Sequence, residues 1–170
     1  IHLAARGRLE ALAGVRGFYE QLALEDVGLK IVAPPRPEPL SDVEWAQVRQ
    51  NPTLKRALYA MAMGLRGEGV REWNYGTNLV NAQGQAGRMN DRELLAAAAL
   101  ACEQQVWDRC INTSERMREL FDVEQSYPMP FRQEVLQRTR EIALDPAYVY
   151  GLIRQESRFV MDRSEEHTSE

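Results

Sequence analysis

What this chain has little of narrows its chemistry first. It carries two histidines and two cysteines in 170 residues. It has no CxxC, no HExxH and no His/Cys ligand spacing, so neither a metal site nor a cofactor is expected. Basic residues do not outnumber acidic ones: 21 Lys and Arg stand against 25 Asp and Glu, a formal net charge of −4. No basic cluster with interleaved aromatics occurs, which argues against a dedicated nucleic-acid binder. No apolar run approaches the roughly 18 residues needed to span a bilayer, and the N-terminus does not read as a signal peptide. The chain opens at Ile1 without a methionine and reads as the middle of a longer protein.

What is present is an ordinary soluble composition, 44% hydrophobic and 27% charged, long enough for one or two domains. Cys102 and Cys110 lie eight residues apart on helical sequence. An unbroken helix would hold them roughly 12 Å apart, too far for a disulfide. Two buried free thiols are therefore the expectation, with a disulfide open only if the helix breaks between them. Asn112-Thr113-Ser114 fits the glycosylation sequon and reads as a chance match.

Helices follow one another and strands do not. Leu3 to Leu12 is rich in helix formers, and Gly14 and Gly17 punctuate the passage to a second segment, Phe18 to Val27. That segment places Phe18, Leu22 and Leu24 on a buried side, and Gly28 closes it. Ala33 to Leu40 contains four prolines and reads as an extended spacer. Ser41 with Glu44 makes a capping box for a helix through Trp45 and Val48. Asn51-Pro52 caps the next, whose stripe is Leu54, Leu58, Met61 and Leu65. Met61 and Met63 are read as core. Val70, Trp73, Asn74 and Leu79 form a further helix, followed by a loop at Gly84–Gly87. Asn90 with Glu93 is a second capping box, opening a helix whose run Ala96 to Ala99 permits close approach. Val106 through Met117 and Phe121 completes a helix pair. Trp45, Trp73 and Trp107 have the chemistry to stack on sugars, but their helical spacing reads as core.

The most informative stretch is Asp145 to Phe159. Asp145-Pro146 is a helix start, a capping side chain followed by a proline whose missing N–H needs no partner. Val149, Leu152, Ile153 and Glu156 then fall on one helix face. A carboxyl on a core-facing stripe tends to hold its proton near neutrality, the state a general acid needs. The ordinary alternatives are a structural carboxylate paired with Arg154 or Arg158, and one at the exposed edge of the stripe.

Tyr148 to Phe159, with Arg154-Gln155-Glu156-Ser157 at its centre, resembles the first catalytic motif of the soluble lytic murein transglycosylases. These are bacterial enzymes with a goose-lysozyme-like catalytic domain. Arg16-Gly17-Phe18-Tyr19 is similar to a turn near the end of that family's helical superhelix, and Tyr127-Pro128 to the pair that begins its catalytic domain. The resemblance implies an all-α chain in which residues 1–33 end the superhelix, 34–40 are a Pro-rich linker, 41–126 a small helical linker domain, and 127–162 the first helices of a lysozyme-like catalytic domain. Phe131, Val135, Leu136 and Ile142 would mark the first of those helices. It implies that Glu156 is the single catalytic acid/base, that Ser157 shapes the substrate site, that peptidoglycan glycan strands are the partner, and that the protein is periplasmic. The reaction implied is non-hydrolytic cleavage of the MurNAc–GlcNAc bond to 1,6-anhydromuramic ends.

The family's continuation, a glycine-leucine-methionine-glutamine segment and a later tyrosine-containing loop, does not follow Glu156 here. Arg163 to Glu170 instead matches the translation of a short-read library adapter, so natural sequence is expected to stop at about Asp162, and His167 enters no site. The chain is expected to be inactive by itself, with the part after Tyr127 loosely held. A helical-repeat scaffold that binds proteins and a hydrolysing muramidase are the two other classes this sequence permits.

Overall fold

The computed structural model describes residues 2–13, 18–30, 32–81 and 86–161. The Arg16-Gly17 turn, part of the Gly84–Gly87 loop, and Arg163 to Glu170 with His167 lie outside the described residues. Within them the chain is all-α: ten helices, no strand, and one isolated antiparallel bridge between Val80 and Ala86. It divides into two compact units, Ile1–Arg36 and Pro37–Glu170.

In the first unit, α1 (His2–Leu12) is followed by α2 (Phe18–Asp26). Gly28 closes α2 in the left-handed conformation (φ +79°), its N–H donating to the Glu25 carbonyl while Leu29 N–H reaches back to Leu24. This is the expected glycine cap. Of the expected face Leu22 is exposed and Leu24 half-buried, the Phe18 side chain lies outside what is described, and the buried residue on α2 is Ala23. With two short helices, only the smaller side chain is enclosed.

In the second unit, α3 (Asp42–Gln50), α4 (Pro52–Ala62), α5 (Arg66–Asn78), α6 (Asp91–Glu103) and α7 (Trp107–Ser114) build one core. Their starts follow the local chemistry. Ser41/Glu44 and Asn90/Glu93 form the reciprocal capping boxes, and the Asn51 side-chain Oδ1 accepts from the amides of Thr53 and Leu54. Leu54, Trp73, Leu94 and Ile111 are almost fully buried, each contributing about 1.5–3 kcal/mol of transfer free energy. The Trp73 indole N–H donates to Thr113 Oγ1 at 2.9 Å, so the sequon's threonine is a core partner.

The α4 stripe ends before the sequence pattern does. Gly64 takes a left-handed turn (φ +80°), and Leu65 becomes the exposed residue preceding α5. Met61 packs against the core but Met63 is exposed, correcting both core assignments beyond Met61. α4 and α5 approach so closely that a Cβ on Gly69 would lie 2.7 Å from the Ala57 carbonyl oxygen, and one on Gly76 2.7 Å from Thr53 Cγ2.

Cys102 and Cys110 are disulfide-bonded, not free. The helix does break between them: α6 stops at Glu103, Gln105 takes φ +58°, and α7 starts at Trp107. The reversal brings the two Cα atoms to 5.1 Å, within disulfide reach. After α7 the chain is irregular to Asp122, not helical through Phe121. One oxygen of Asp91 holds it, accepting from the amides of Arg118, Glu119 and Leu120 at 2.8, 2.6 and 2.9 Å. The short α8 (Val123–Ser126) follows, capped by Asp122.

Candidate functional site

Two helices carry the candidate site, α9 (Arg132–Glu141) and α10 (Pro146–Glu156). Asp145 caps α10 as its sequence requires, its Oδ1 accepting from the Ala147 amide at 2.8 Å, with Pro146 at the first helical position. α9 enters from Phe131, a non-glycine residue at φ +55°. Phe131 and Ile142, expected to mark this helix, flank it as its caps and are exposed, and Thr139 is its buried residue. Its hydroxyl turns inward on its own helix, donating to the Val135 carbonyl.

Between α9, α10 and the preceding Tyr127–Met129 segment lies a mostly apolar groove of about 480 Å³, lined by Tyr127, Met129, Leu136, Ala147, Tyr150 and Gly151 among others. Tyr150 bridges its floor: the hydroxyl donates to the Pro130 carbonyl at 2.9 Å. Burial pushes that hydroxyl's pKa up, with Arg132 opposing. Glu156 does not line this groove.

Glu156 is the last residue of α10 and is exposed. The expectation of a core-facing carboxyl therefore fails. Val149, Leu152, Ile153 and Glu156 do share a side of the helix, but no residue of α10 is buried. A stripe fixes which side chains share a face; whether the face is covered depends on neighbours. The exposed edge of the stripe is where the side chain lies, and the ion-paired alternative fails. Glu156 makes no hydrogen bond or ion pair with another described residue, and both nearby arginines are engaged elsewhere. Ser157 follows it directly, half-buried, its hydroxyl donating to the Ile153 carbonyl and accepting from the Phe159 amide, each at 3.2 Å.

The arginines converge on Glu115, which caps the C-terminus of α7 and drew no attention in the sequence. Arg154 Nη2 pairs with Glu115 Oε1, and Arg158 Nη1 with Oε2 at 3.0 Å. Arg154 Nε also donates to the Ser126 carbonyl at 2.9 Å, and its guanidinium lies 4.6 Å from the Tyr127 ring centroid, a cation–π contact. Just past Glu156 the backbone takes two successive left-handed residues, Arg158 at φ +49° and Phe159 at φ +61°. Phe159 is buried, its ring 6.1 Å from that of Tyr150.

Of the three tryptophans only Trp73 is fully in the core. Trp45 is half-buried beneath the Arg49 guanidinium, and Trp107 half-buried beside a cavity of about 220 Å³ that Met61, Asp108 and Phe159 also line. Among the described residues no group of three or more His, Cys, Asp and Glu is placed to hold a metal, and no helix is long and apolar enough to cross a membrane.

No protein-family model matches the chain, and no curated relative does. Among solved structures it is similar to the inactive glutamate-to-glutamine mutant of the lytic transglycosylase Slt from Pseudomonas aeruginosa, with a TM-score of 0.68 and 23% identity. The match covers 91% of this chain and 24% of that one, so the chain spans about a quarter of its neighbour's length. At that identity the likeness is one of fold.

Proposed function

We propose that this chain is part of a peptidoglycan lytic transglycosylase in which Glu156 is the sole acid/base. The carrying observation is the coincidence of two things: a helical fold shared with a protein described as a lytic transglycosylase, and an Arg-Gln-Glu-Ser run whose glutamate stands exposed at the end of α10 while Glu115 occupies both flanking arginines. Among the described residues no cation is paired with that carboxyl, which leaves its oxygens open to a substrate. In this reading Glu156 protonates the glycosidic oxygen between N-acetylmuramic acid and N-acetylglucosamine, with assistance from the muramic acetamido group. The carboxylate then takes the proton of the C6 hydroxyl as the 1,6-anhydro ring closes. One carboxyl serves both steps, unlike the paired acids of ordinary glycosidases.

The remaining assignments belong to the same proposal. Residues 1–33 end a superhelical domain, 34–40 link, 41–126 form a helical linker domain, and 127–162 begin the catalytic domain. Ser157 shapes the sugar site by fixing the backbone turn beside Glu156. The Cys102–Cys110 disulfide supports an oxidising compartment such as the periplasm.

The test uses the product of the complete reading frame that contains this chain, incubated with murein sacculi, with fragments read by mass spectrometry. Wild type releases 1,6-anhydromuramic ends, and Glu156→Gln lowers the rate by roughly 10³-fold or more with unfolding unchanged. Full activity in that variant sinks the assignment. Reducing ends identify a hydrolysing muramidase, and absence of turnover together with capture of a protein partner identifies a scaffold.

A further inference from the structure

We infer that Glu115 is a positioning residue for Glu156, clamping the catalytic end of α10 to the C-terminus of α7. This rests on the reading of Glu156 as the acid. Residues two apart on a helix point to opposite sides, so Arg154 grips α10 from the side away from Glu156. One Glu115 oxygen takes Arg154 and the other takes Arg158, so a single carboxylate brackets Glu156 on both sides in sequence. Three further contacts close the bracket. Arg154 Nε donates to Ser126 O at 2.9 Å, its guanidinium covers Tyr127, and the buried Phe159 ring meets Tyr150.

The backbone shows what this clamp opposes. Arg158 and Phe159 both adopt a left-handed conformation that non-glycine residues take only when their surroundings enforce it. The Arg158–Glu115 pair and the burial of Phe159 supply that enforcement. The amides of Ser157 and Arg158 remain on the Ile153 carbonyl at 3.0 and 3.1 Å, so the last turn of α10, and the Glu156 Cα with it, has a fixed direction. Without Glu115 the two arginines lose their common partner and the turn relaxes. A carboxyl that must meet first the bridging glycosidic oxygen and then the C6 hydroxyl does not tolerate that freedom.

The experiment has two readings. In the 170-residue chain, amide hydrogen exchange at Ser157 and Arg158 is compared between wild type, Glu115→Gln and Glu115→Asp. The glutamine variant is expected to exchange at least ~10-fold faster there, with α6 unchanged. Wild-type exchange in that variant overturns the clamp, whatever the chain's function. In the product of the complete reading frame, Glu115→Gln is expected to lower kcat about 10–100-fold with KM nearly constant, and Glu115→Asp to recover part of it. An unchanged kcat, or a fall in kcat that only tracks a fall in unfolding midpoint, overturns the positioning role. If wild type and Glu156→Gln both fail to cleave murein, the function is overturned and catalytic positioning with it, while the exchange result still decides the clamp.

Discussion

At the scale of single residues, Glu44 has the most demanding position in the second unit. Its carboxylate closes the α3 capping box on the Ser41 amide at 2.8 Å and also receives Arg92 through both oxygens, at 2.7 Å each. Arg92 simultaneously donates to the backbone carbonyls of Glu38 and Pro39, tying the end of the proline-rich segment to α6. The Arg92 guanidinium, with help from the Ser41 amide and hydroxyl, pushes the Glu44 pKa from 4.5 down to about 2. A depressed carboxyl stabilises the fold above its unfolded value, and that contribution drains away as pH falls through the folded one. Glu44→Gln is therefore expected to cost about 1–2 kcal/mol at pH 7. The gap in Tm between wild type and variant should close as pH drops from 4.5 toward 2. Thermal unfolding of both proteins across that range checks it, and a gap independent of pH contradicts it. Half of this arrangement is written locally, since Ser41 and Glu44 are three residues apart. The other half is not: Arg92 lies 48 residues from Glu44, as Arg154 lies 39 from Glu115. No periodicity reports such pairs. The candidate site follows the same division. The Asp145 cap and the shared face of Val149, Leu152, Ile153 and Glu156 were legible; that Glu156 is exposed, and that Glu115 holds its neighbours, depends on what α7 brings alongside.

At the scale of elements, helix starts were readable because a cap is a contact within four residues, and Ser41, Asn51, Asn90 and Asp145 each cap as expected. Helix ends were less so. α4 stops at Ala62 because Gly64 reverses the chain, and α6 stops at Glu103 through Gln105, a residue whose side chain gives no hint of a left-handed turn. Packing between elements was hidden in another way. Gly69 and Gly76 sit inside α5, where glycine costs helix propensity, and the α4 backbone explains the first of them. A methyl group placed on Gly69 would meet the Ala57 carbonyl oxygen at 2.7 Å, and a backbone oxygen inside a helix cannot rotate away. The gain in helix propensity is thus outweighed by overpacking. Gly69→Ala should destabilise the protein by about 1–3 kcal/mol. Gly67→Ala, where the nearest atom is the Arg71 side chain at 3.7 Å, should be neutral or slightly stabilising. Urea midpoints of the two variants test the contrast, and equal midpoints would remove the case for close α4–α5 contact.

At the scale of the whole molecule, the disulfide decides how stability and compartment are related. Cys110 is fully buried within the core cluster and Cys102 packs against it, so the bond joins α6 to α7 at the centre of the second unit. In the chain-entropy account, closing so short a loop removes about 2–3 kcal/mol worth of freedom from the unfolded chain. For a protein of this length that corresponds to roughly 5–10 °C in Tm. Cys102→Ala with Cys110→Ala should lower Tm by that amount, and a thiol reductant should lower wild type while leaving the double variant where it is. The variant's own Tm separates the cross-link from the packing of the sulfurs: if reductant leaves wild type unmoved although free thiols are detected, burial alone holds α6 against α7. If reductant moves it, then the fold depends on oxidation. In that case the protein is matched to a compartment outside the reducing cytosol.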